Sequence, residues 1–97
     1  MKKEVINGNF KQEYYSIHFA KEHVYNHRNI FSKSTRRYVF RTYPPIIKEI
    51  DTAPDGKKQY WFWCFLENKK IIYKFNKKPS QNQLKEMLND FEKERRC

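Results

Sequence analysis

The stretch Tyr60-Trp61-Phe62-Trp63-Cys64-Phe65-Leu66 is the longest unbroken apolar run in the chain. Its large aromatic side chains suit a pleated strand better than a helix, where they lose rotamer freedom against the preceding turn. A run that is apolar on both faces and bounded by turn residues is typical of a central strand. Its odd-numbered residues then point to one side of the sheet and its even-numbered residues to the other.

The segments on either side of this run predict a three-stranded antiparallel meander. Residues 46–51 form the strand before it. The turn between them is Ala53-Pro54-Asp55-Gly56-Lys57, in which Pro fixes its own φ and Gly takes a positive φ. After the run, residues 67–70 give a short connection to a further strand at 71–75.

The C-terminal segment predicts an amphipathic helix. Ser80 and Gln83 have the spacing of a capping box, in which each side chain pairs with the backbone of the other. Apolar side chains then recur at i, i+3, i+4 and i+7, namely Leu84, Met87, Leu88 and Phe91. We expect this stripe to cover one face of the sheet, although the pattern leaves open which face.

The N-terminal half gives weaker signals. Residues 1–12 are polar and are expected to fray. Residues 14–25 fit either a strand, from the alternation of Tyr15, Ile17 and Phe19, or a short helix through 20–25. Residues 26–36 predict a loop, and residues 37–43 predict a strand that ends at Pro44-Pro45.

These elements together predict one α+β domain over residues 1–97. It consists of an antiparallel sheet of four or five strands with the C-terminal helix on one face. With two cysteines, the chain has no disulfide framework, and it has neither a signal-peptide pattern nor an apolar run of the ~20 residues that a membrane span needs. We therefore expect a cytoplasmic protein.

Composition points to a negatively charged partner. Lysine and arginine number 21 against 11 acidic residues, for a net charge of +10, and aromatic residues make up 18% of the chain. Such a fold repels itself, and a polyanion relieves the repulsion. Nucleic acid is the commonest polyanion, and an acidic protein surface or an anionic membrane comes next; we expect no membrane binding.

Two stretches of the chain contain cations and aromatic rings but no acids, one between Glu22 and Glu49 and the other between Glu67 and Glu86. Cations can neutralise phosphates, and rings can stack on bases of any sequence. Solvated loops and ordinary strand alternation would produce the same pattern. The candidate binding residues are Arg28, Lys33, Arg36, Arg37, Arg41, Lys69, Lys70, Lys74, Lys77 and Lys78, with Tyr38, Tyr43, Trp61 and Trp63 as aromatic contacts.

Two of these groups suggest specific arrangements. Lys77 and Lys78 precede the predicted helix, so with the backbone N–H groups of 81–83 they could form a phosphate cradle, or they could simply solubilise a loop. Trp61, Trp63 and Phe65 would form a stacking platform if the helix covers the opposite face. Tryptophan on an antiparallel strand is more often part of the core.

Metal and enzyme motifs are weak. His23 and His27 have a zinc-like spacing, with His18 nearby, but no CxxC pair completes a site, so we expect no metal and no cofactor. Asp55 and Glu67-Asn68-Lys69 match the letters of the PD-(D/E)xK nucleases. At ~3.3 Å per residue, the intervening strand would separate these carboxylates by about 40 Å. No catalytic residues are predicted.

The leading hypothesis is a small non-catalytic module that binds DNA or RNA through phosphates with aromatic support. The alternative is an inhibitor or adaptor that docks its basic aromatic face on an acidic host protein, such as a nucleic-acid-handling or defence enzyme. Abundant Lys, Asn, Ile, Phe and Tyr suggest AT-rich coding, as in phage or mobile-element genes. A metal-independent ribonuclease is the third hypothesis. Monomer and edge-paired dimer both stay open.

Overall fold

The computed structural model describes residues 1–19, 24–27, 34–40 and 44–96. The elements in chain order are β1 (Lys2–Asn7), α1 (Lys11–Phe19), β2 (Val24–His27), β3 (Ser34–Phe40), β4 (Ile46–Thr52), β5 (Lys58–Phe65), β6 (Lys69–Phe75) and α2 (Gln81–Arg96). The strands form one antiparallel sheet in the order β1-β6-β5-β4-β3-β2. Neither helix in these ranges has the length and apolar character that a membrane crossing requires.

The α+β class, with its C-terminal meander and final helix, is confirmed. Strands β4, β5 and β6 form the meander, and β5 contains most of the aromatic run on which this prediction rests. The predicted turn between β4 and β5 is closed by an N–H of Ala53 that donates to the Lys57 carbonyl at 2.8 Å. Gly56 takes the positive φ that this turn requires, at 88°.

Among the described residues the sheet has six strands, one of which comes from the N-terminus. Residues 1–12 do not fray as expected. β1 pairs with β6 along its whole length, from Lys2 opposite Lys74 to Asn7 opposite Lys69. All of β1 is exposed except the half-buried Ile6, so backbone hydrogen bonds and ion pairs hold this edge strand rather than apolar burial.

Residues 11–19 form a helix rather than the alternating strand considered for 14–20. The side chain of Asn9 accepts from the Lys11 N–H at 3.2 Å, and the Tyr14 N–H donates to the Phe10 carbonyl at 2.8 Å. The first of these bonds satisfies one of the N–H groups that have no helical partner at the start of α1, and the second is an i to i−4 helical bond. Tyr14 is buried while Tyr15 is 48% exposed, the reverse of the face that alternation predicts. The helix also lies earlier than the alternative placed at 20–25.

The loop predicted at 26–36 is wrong at both of its ends, and residues 28–33 lie outside the described ranges. Asn26 and His27 belong to β2, and β3 already begins at Ser34. The two strands pair from Val24 opposite Tyr38 to His27 opposite Thr35. Backbone pairing does not depend on side-chain polarity. A strand of mostly polar residues at this edge therefore shows no apolar pattern from which it could be predicted. The strand predicted at 46–51 is confirmed as β4, and residues 41–43 of the strand predicted before it lie outside the described ranges.

The core lies between α2 and one face of the sheet. Met87 and Phe91 are buried against five sheet residues, namely Phe62, Cys64, Ile71, Tyr73 and Phe75. The capping box is confirmed: the Gln83 N–H donates to Ser80 Oγ at 3.2 Å, and the Ser80 N–H donates to Gln83 Oε1 at 2.8 Å. The predicted stripe is wrong at Leu88, which is 45% exposed. The inner side of the helix instead continues with polar side chains that pair with the sheet.

Candidate nucleic-acid interface

The two faces of the sheet differ, and α2 covers only one of them. The even-numbered residues Phe62 and Cys64 of β5 pack against α2. Because side chains alternate along a strand, the odd-numbered residues point to the other side. We call this other side the tryptophan face; it contains Trp61, Trp63 and Phe65 of β5 with Lys70 and Lys74 of β6. α2 therefore covers the face that carries the even-numbered residues of β5.

α2 does not cover the whole of its own face. Strand register places Arg36, Ile50 and Tyr60 in one row and Tyr38, Lys48 and Phe62 in the next. Toward β3, this face continues past the helix: Arg36 is exposed, and Tyr38 and Lys48 are half-buried. We call this uncovered part the basic strip and define it by five residues, namely Arg36, Tyr38, Lys48, Lys58 and Tyr60.

The basic strip contains no acidic residue among the described positions of β3, β4 and β5. Glu49 and Asp51 of β4 lie at odd positions and therefore point to the tryptophan face. The cations Arg36, Lys48 and Lys58 take part in no ion pair with the described residues. The Lys48 Nζ lies 5.6 Å from the centre of the Tyr38 ring, so the strip combines cations with rings.

Several predicted binding cations are instead paired with carboxylates. Lys69 is buried in β6, and its Nζ donates to Glu94 of α2 at 3.0 Å. Lys74 pairs with Glu4 at 3.2 Å, and the Arg37 Nε donates to Glu49 at 2.5 Å. The contact between Lys69 and Glu94 joins the sheet to the helix, so we leave Lys69 out of the candidate interface.

A polar network fastens β1 and β6 to α2. Lys3 Nζ lies 2.8 Å from both Asp90 and Glu94, and the Tyr73 hydroxyl donates to Asp90 at 2.7 Å. Hydrogen bonds from Lys3, and then from Tyr73, lower the pKa of Asp90. Hydrogen bonds from Lys3 and Lys69 likewise lower the pKa of Glu94. These five groups serve stability, because they lie between the helix and the sheet.

The tryptophan face brings together the two predicted tryptophans and two predicted lysines. Lys74 Nζ lies 4.5 Å from the centre of the Trp61 ring, and Lys70 Nζ lies 5.3 Å from that of Trp63. The two indoles are half-buried, with ring centres 6.0 Å apart. α2 covers the opposite face, as a platform requires, but Phe65 is buried, so only the two indoles are partly exposed. A stacking base, however, would have to displace the lysines from these rings.

Two cations of the tryptophan face, Arg37 and Lys74, are paired with carboxylates of the same face, whereas Lys70 is paired with no carboxylate of the described residues. Burial raises the pKa of the Glu49 carboxyl, and the hydrogen bond from Arg37 acts in the opposite direction. Lys74 is similarly paired with Glu4. Acids and bases thus alternate around the tryptophans, which makes this face a poorer phosphate surface than the basic strip.

Lys77 and Lys78 are exposed and follow the end of β6. Phe75 pairs with Tyr60, so both lysines leave the sheet at the end where β5 begins, the end that also holds Lys58. The predicted phosphate cradle is incomplete, because the Gln83 N–H already donates to Ser80 Oγ. The two lysines can still add positive charge beside the basic strip.

The other candidates form no site in the described ranges. Arg28, Lys33, Arg41, Tyr43 and His23 lie outside these ranges. The described residues contain no cluster of three or more metal-ligating side chains. As for the nuclease motif, Asp55 lies in the turn before β5 and Glu67 follows its end, so the two acids flank the full length of the strand.

Sequence reasoning missed Lys58 and left Lys48 out of the candidate contacts. Both lie on the basic strip, because side chains alternate along a strand and both residues occupy even-numbered positions. Lys58 is even-numbered like Tyr60 and Phe62, and Lys48 pairs with Phe62. Alternation from the aromatic run could have placed Lys58 on this face, but the position of Lys48 required the register between strands.

Comparisons of the chain with protein families, with curated proteins and with solved structures find no match. The basic strip and the tryptophan face are therefore interpreted from their own chemistry. A surface whose cations pair with no described carboxylate, and which also contains half-buried tyrosines, can bind phosphates and contact bases.

Proposed function

We propose that this protein is a non-catalytic nucleic-acid-binding module that contacts the phosphate backbone through the basic strip. The observation that supports this proposal most is the segregation of charge on β3, β4 and β5. Cations that pair with no carboxylate of the described residues lie on the helix side of these strands, while the acids of β4 lie on the other side. Segregation of this kind is what a phosphate-binding surface requires.

Three features of the strip suit a nucleic-acid strand. Arg36 and Lys48 come from adjacent strands, and Lys58 extends the surface toward the end of the sheet where Lys77 and Lys78 emerge. Tyr38 and Tyr60 lie among these cations; both are half-buried, and Tyr60 also packs against the core, so the exposed parts of the two rings are what can contact bases or sugars. On this side of β3, β4 and β5, the described positions include no carboxylate that would repel a phosphate.

The test is a pair of triple variants with the same net charge. One variant combines Arg36→Gln, Lys48→Gln and Lys58→Gln within the strip. The matched control combines Lys2→Gln, Lys11→Gln and Lys85→Gln, which are exposed elsewhere. We expect the strip variant to lose at least about tenfold in affinity for labelled oligonucleotides at fixed salt, measured by fluorescence anisotropy.

The control variant should lose much less, because general charge attraction is the only property that it changes. Equal losses in the two variants would show that net charge, and not the strip, attracts the oligonucleotide. Binding that survives in the strip variant, or an absence of binding in the native protein to duplex and single-stranded DNA and RNA, would reject the proposal.

A second candidate function is supported by the tryptophan face. Half-buried indoles surrounded by charges of both signs are typical of protein interfaces, in which aromatic side chains and arginine act as anchors. On this proposal the chain is an inhibitor or adaptor of a host protein.

Affinity capture after nuclease treatment separates the two functions. A stoichiometric protein partner that is lost in Trp61→Ala but kept in the strip variant would favour the adaptor.

A further inference from the structure

A cavity of about 190 Å³ lies at one end of the tryptophan face, between α1 and the sheet. Its lining combines apolar and charged side chains from five elements, namely Glu13, Arg37, Ile47, Trp63, Phe65 and Lys70. Ile47 pairs directly with Trp63 across β4 and β5, so these two residues and Phe65 share one face of the sheet. The cavity is therefore a slot with an aromatic and aliphatic floor beneath a helix.

Charged groups surround this floor. Lys70 is half-buried, and its Nζ lies 5.0, 5.3 and 5.9 Å from the ring centres of Phe10, Trp63 and Phe65. It makes no ion pair with a carboxylate among the described residues. Arg37 adds a second cation, and Glu13 from α1 adds an exposed carboxylate.

One buried polar group at this cavity makes no hydrogen bond to the described residues. The indole N–H of Trp63 is buried and has no hydrogen-bond partner in the part of the chain that the structure describes. Buried donors are nearly always paired in proteins, so an unpaired one in a residue that lines a cavity marks a place not optimised for stability alone. Lys70 marks the same place, because it lies among three rings and pairs with no carboxylate of the described residues.

We propose that this cavity binds one purine nucleoside monophosphate. The floor accepts a planar ring, and a cavity of about 190 Å³, below the ~300 Å³ of common ligand pockets, holds the base while the ribose and phosphate extend past its rim. A base that stacks on the floor displaces Lys70 from the rings, and the Lys70 ammonium then binds the phosphate, whereas Arg37 already donates to Glu49. Glu13 can accept hydrogen bonds from a base N–H or amino group. The cavity lies on the face opposite the basic strip, so the two sites are independent.

The test uses GMP and AMP as probes, with guanosine and inorganic phosphate as partial ligands. Both tryptophans of the chain lie on the tryptophan face, so a stacked base should quench intrinsic fluorescence, and calorimetry gives the affinity independently. We expect a nucleotide to bind at least about tenfold more tightly than either partial ligand, because the ring and the phosphate contact different groups.

Substitutions then locate the site. Lys70→Gln should weaken nucleotide binding at least about tenfold, since it removes a charge-assisted contact. Glu13→Gln lies on an exposed helix position and should alter the preference between GMP and AMP without unfolding the chain. Lys11→Gln, on the same helix but outside the cavity, is the control and should leave binding unchanged.

Four results would overturn the proposal: no binding of GMP or AMP at millimolar concentration, equal binding of inorganic phosphate, full binding retained by Lys70→Gln, or equal losses in Lys70→Gln and Lys11→Gln. The strip variant described above should keep its mononucleotide binding. Loss of mononucleotide binding in a folded strip variant would mean that the basic strip, and not the cavity, holds the nucleotide.

Discussion

Lys3 illustrates how position in space decides what a cation does in this protein. It lies in a polar stretch at the N-terminus, yet its Nζ contacts Asp90 and Glu94 at the other end of the chain. Lys69 and Lys74 come from an acid-free stretch of sequence, but each meets a carboxylate, 25 and 70 residues away respectively. Local sequence could not reveal these pairs, because they exist only once β1, β6 and α2 have assembled.

The first prediction concerns Asp90 and its dependence on pH. The folded-state pKa of Asp90 lies below the ordinary 3.8, so its contribution is present above that value and is lost as pH falls through the folded pKa. Asp90→Asn should lower the free energy of unfolding near neutral pH by at most about 1 kcal/mol, since the carboxylate is partly solvated. Thermal melts across pH should show the two proteins converging in acid.

Glu92→Gln is the control for this experiment, because Glu92 makes an exposed pair with Arg95 within the same helix. It should change the melting temperature little at any pH. A difference between Asp90→Asn and the native protein that persists undiminished in strong acid would contradict the account, since the effect would then not arise from the ionised carboxylate.

At the scale of elements, the sequence predicted best where apolar periodicity and turn chemistry agree. β4, β5, β6 and α2 follow from the aromatic run, the Pro-Asp-Gly turn and the capping box. β1 escaped prediction because it is an edge strand with almost no buried side chain. α1 escaped because alternating aromatics resemble a strand, and its start depends on one cap from Asn9.

The second prediction separates two neighbouring apolar residues of α2. Met87 is 2% exposed within the core, whereas Leu88 is 45% exposed. Met87→Ala should lower the free energy of unfolding by about 2–5 kcal/mol, the usual range for a buried large-to-small change. Leu88→Ala should stay within about 0.5 kcal/mol of the native protein. Chemical denaturation measures both, and comparable losses would contradict the placement of the helix.

The third prediction tests the start of α2. Ser80→Ala removes the oxygen that accepts the Gln83 N–H, so the free energy of unfolding should fall by about 1 kcal/mol. Ser80→Asp keeps an acceptor and adds a favourable charge at the helix N-terminus, so it should match or exceed native stability. If both substitutions destabilised the protein equally in urea denaturation, the capping bond would not be the cause.

At the scale of the whole molecule, composition predicted an excess of positive charge but not where it would lie. Register across β3, β4 and β5 sends Lys48 to one face and Glu49 to the other. The candidate site therefore differs from the sequence-based set. Arg36 and Tyr38 stay in it, Lys48, Lys58 and Tyr60 join it, and Lys69 leaves it. Such sorting needs the pairing of strands, which no single segment specifies.

The most direct test of the central claim is the salt dependence of oligonucleotide binding in the native protein and in the strip variant. Each neutralised phosphate contributes a slope of about −0.9 on duplex DNA and about −0.7 on single strands. We predict a native slope that reflects roughly four to eight phosphates, reduced in magnitude by about two to three in the strip variant. Identical slopes in the two proteins, or native binding that does not respond to salt, would contradict the account.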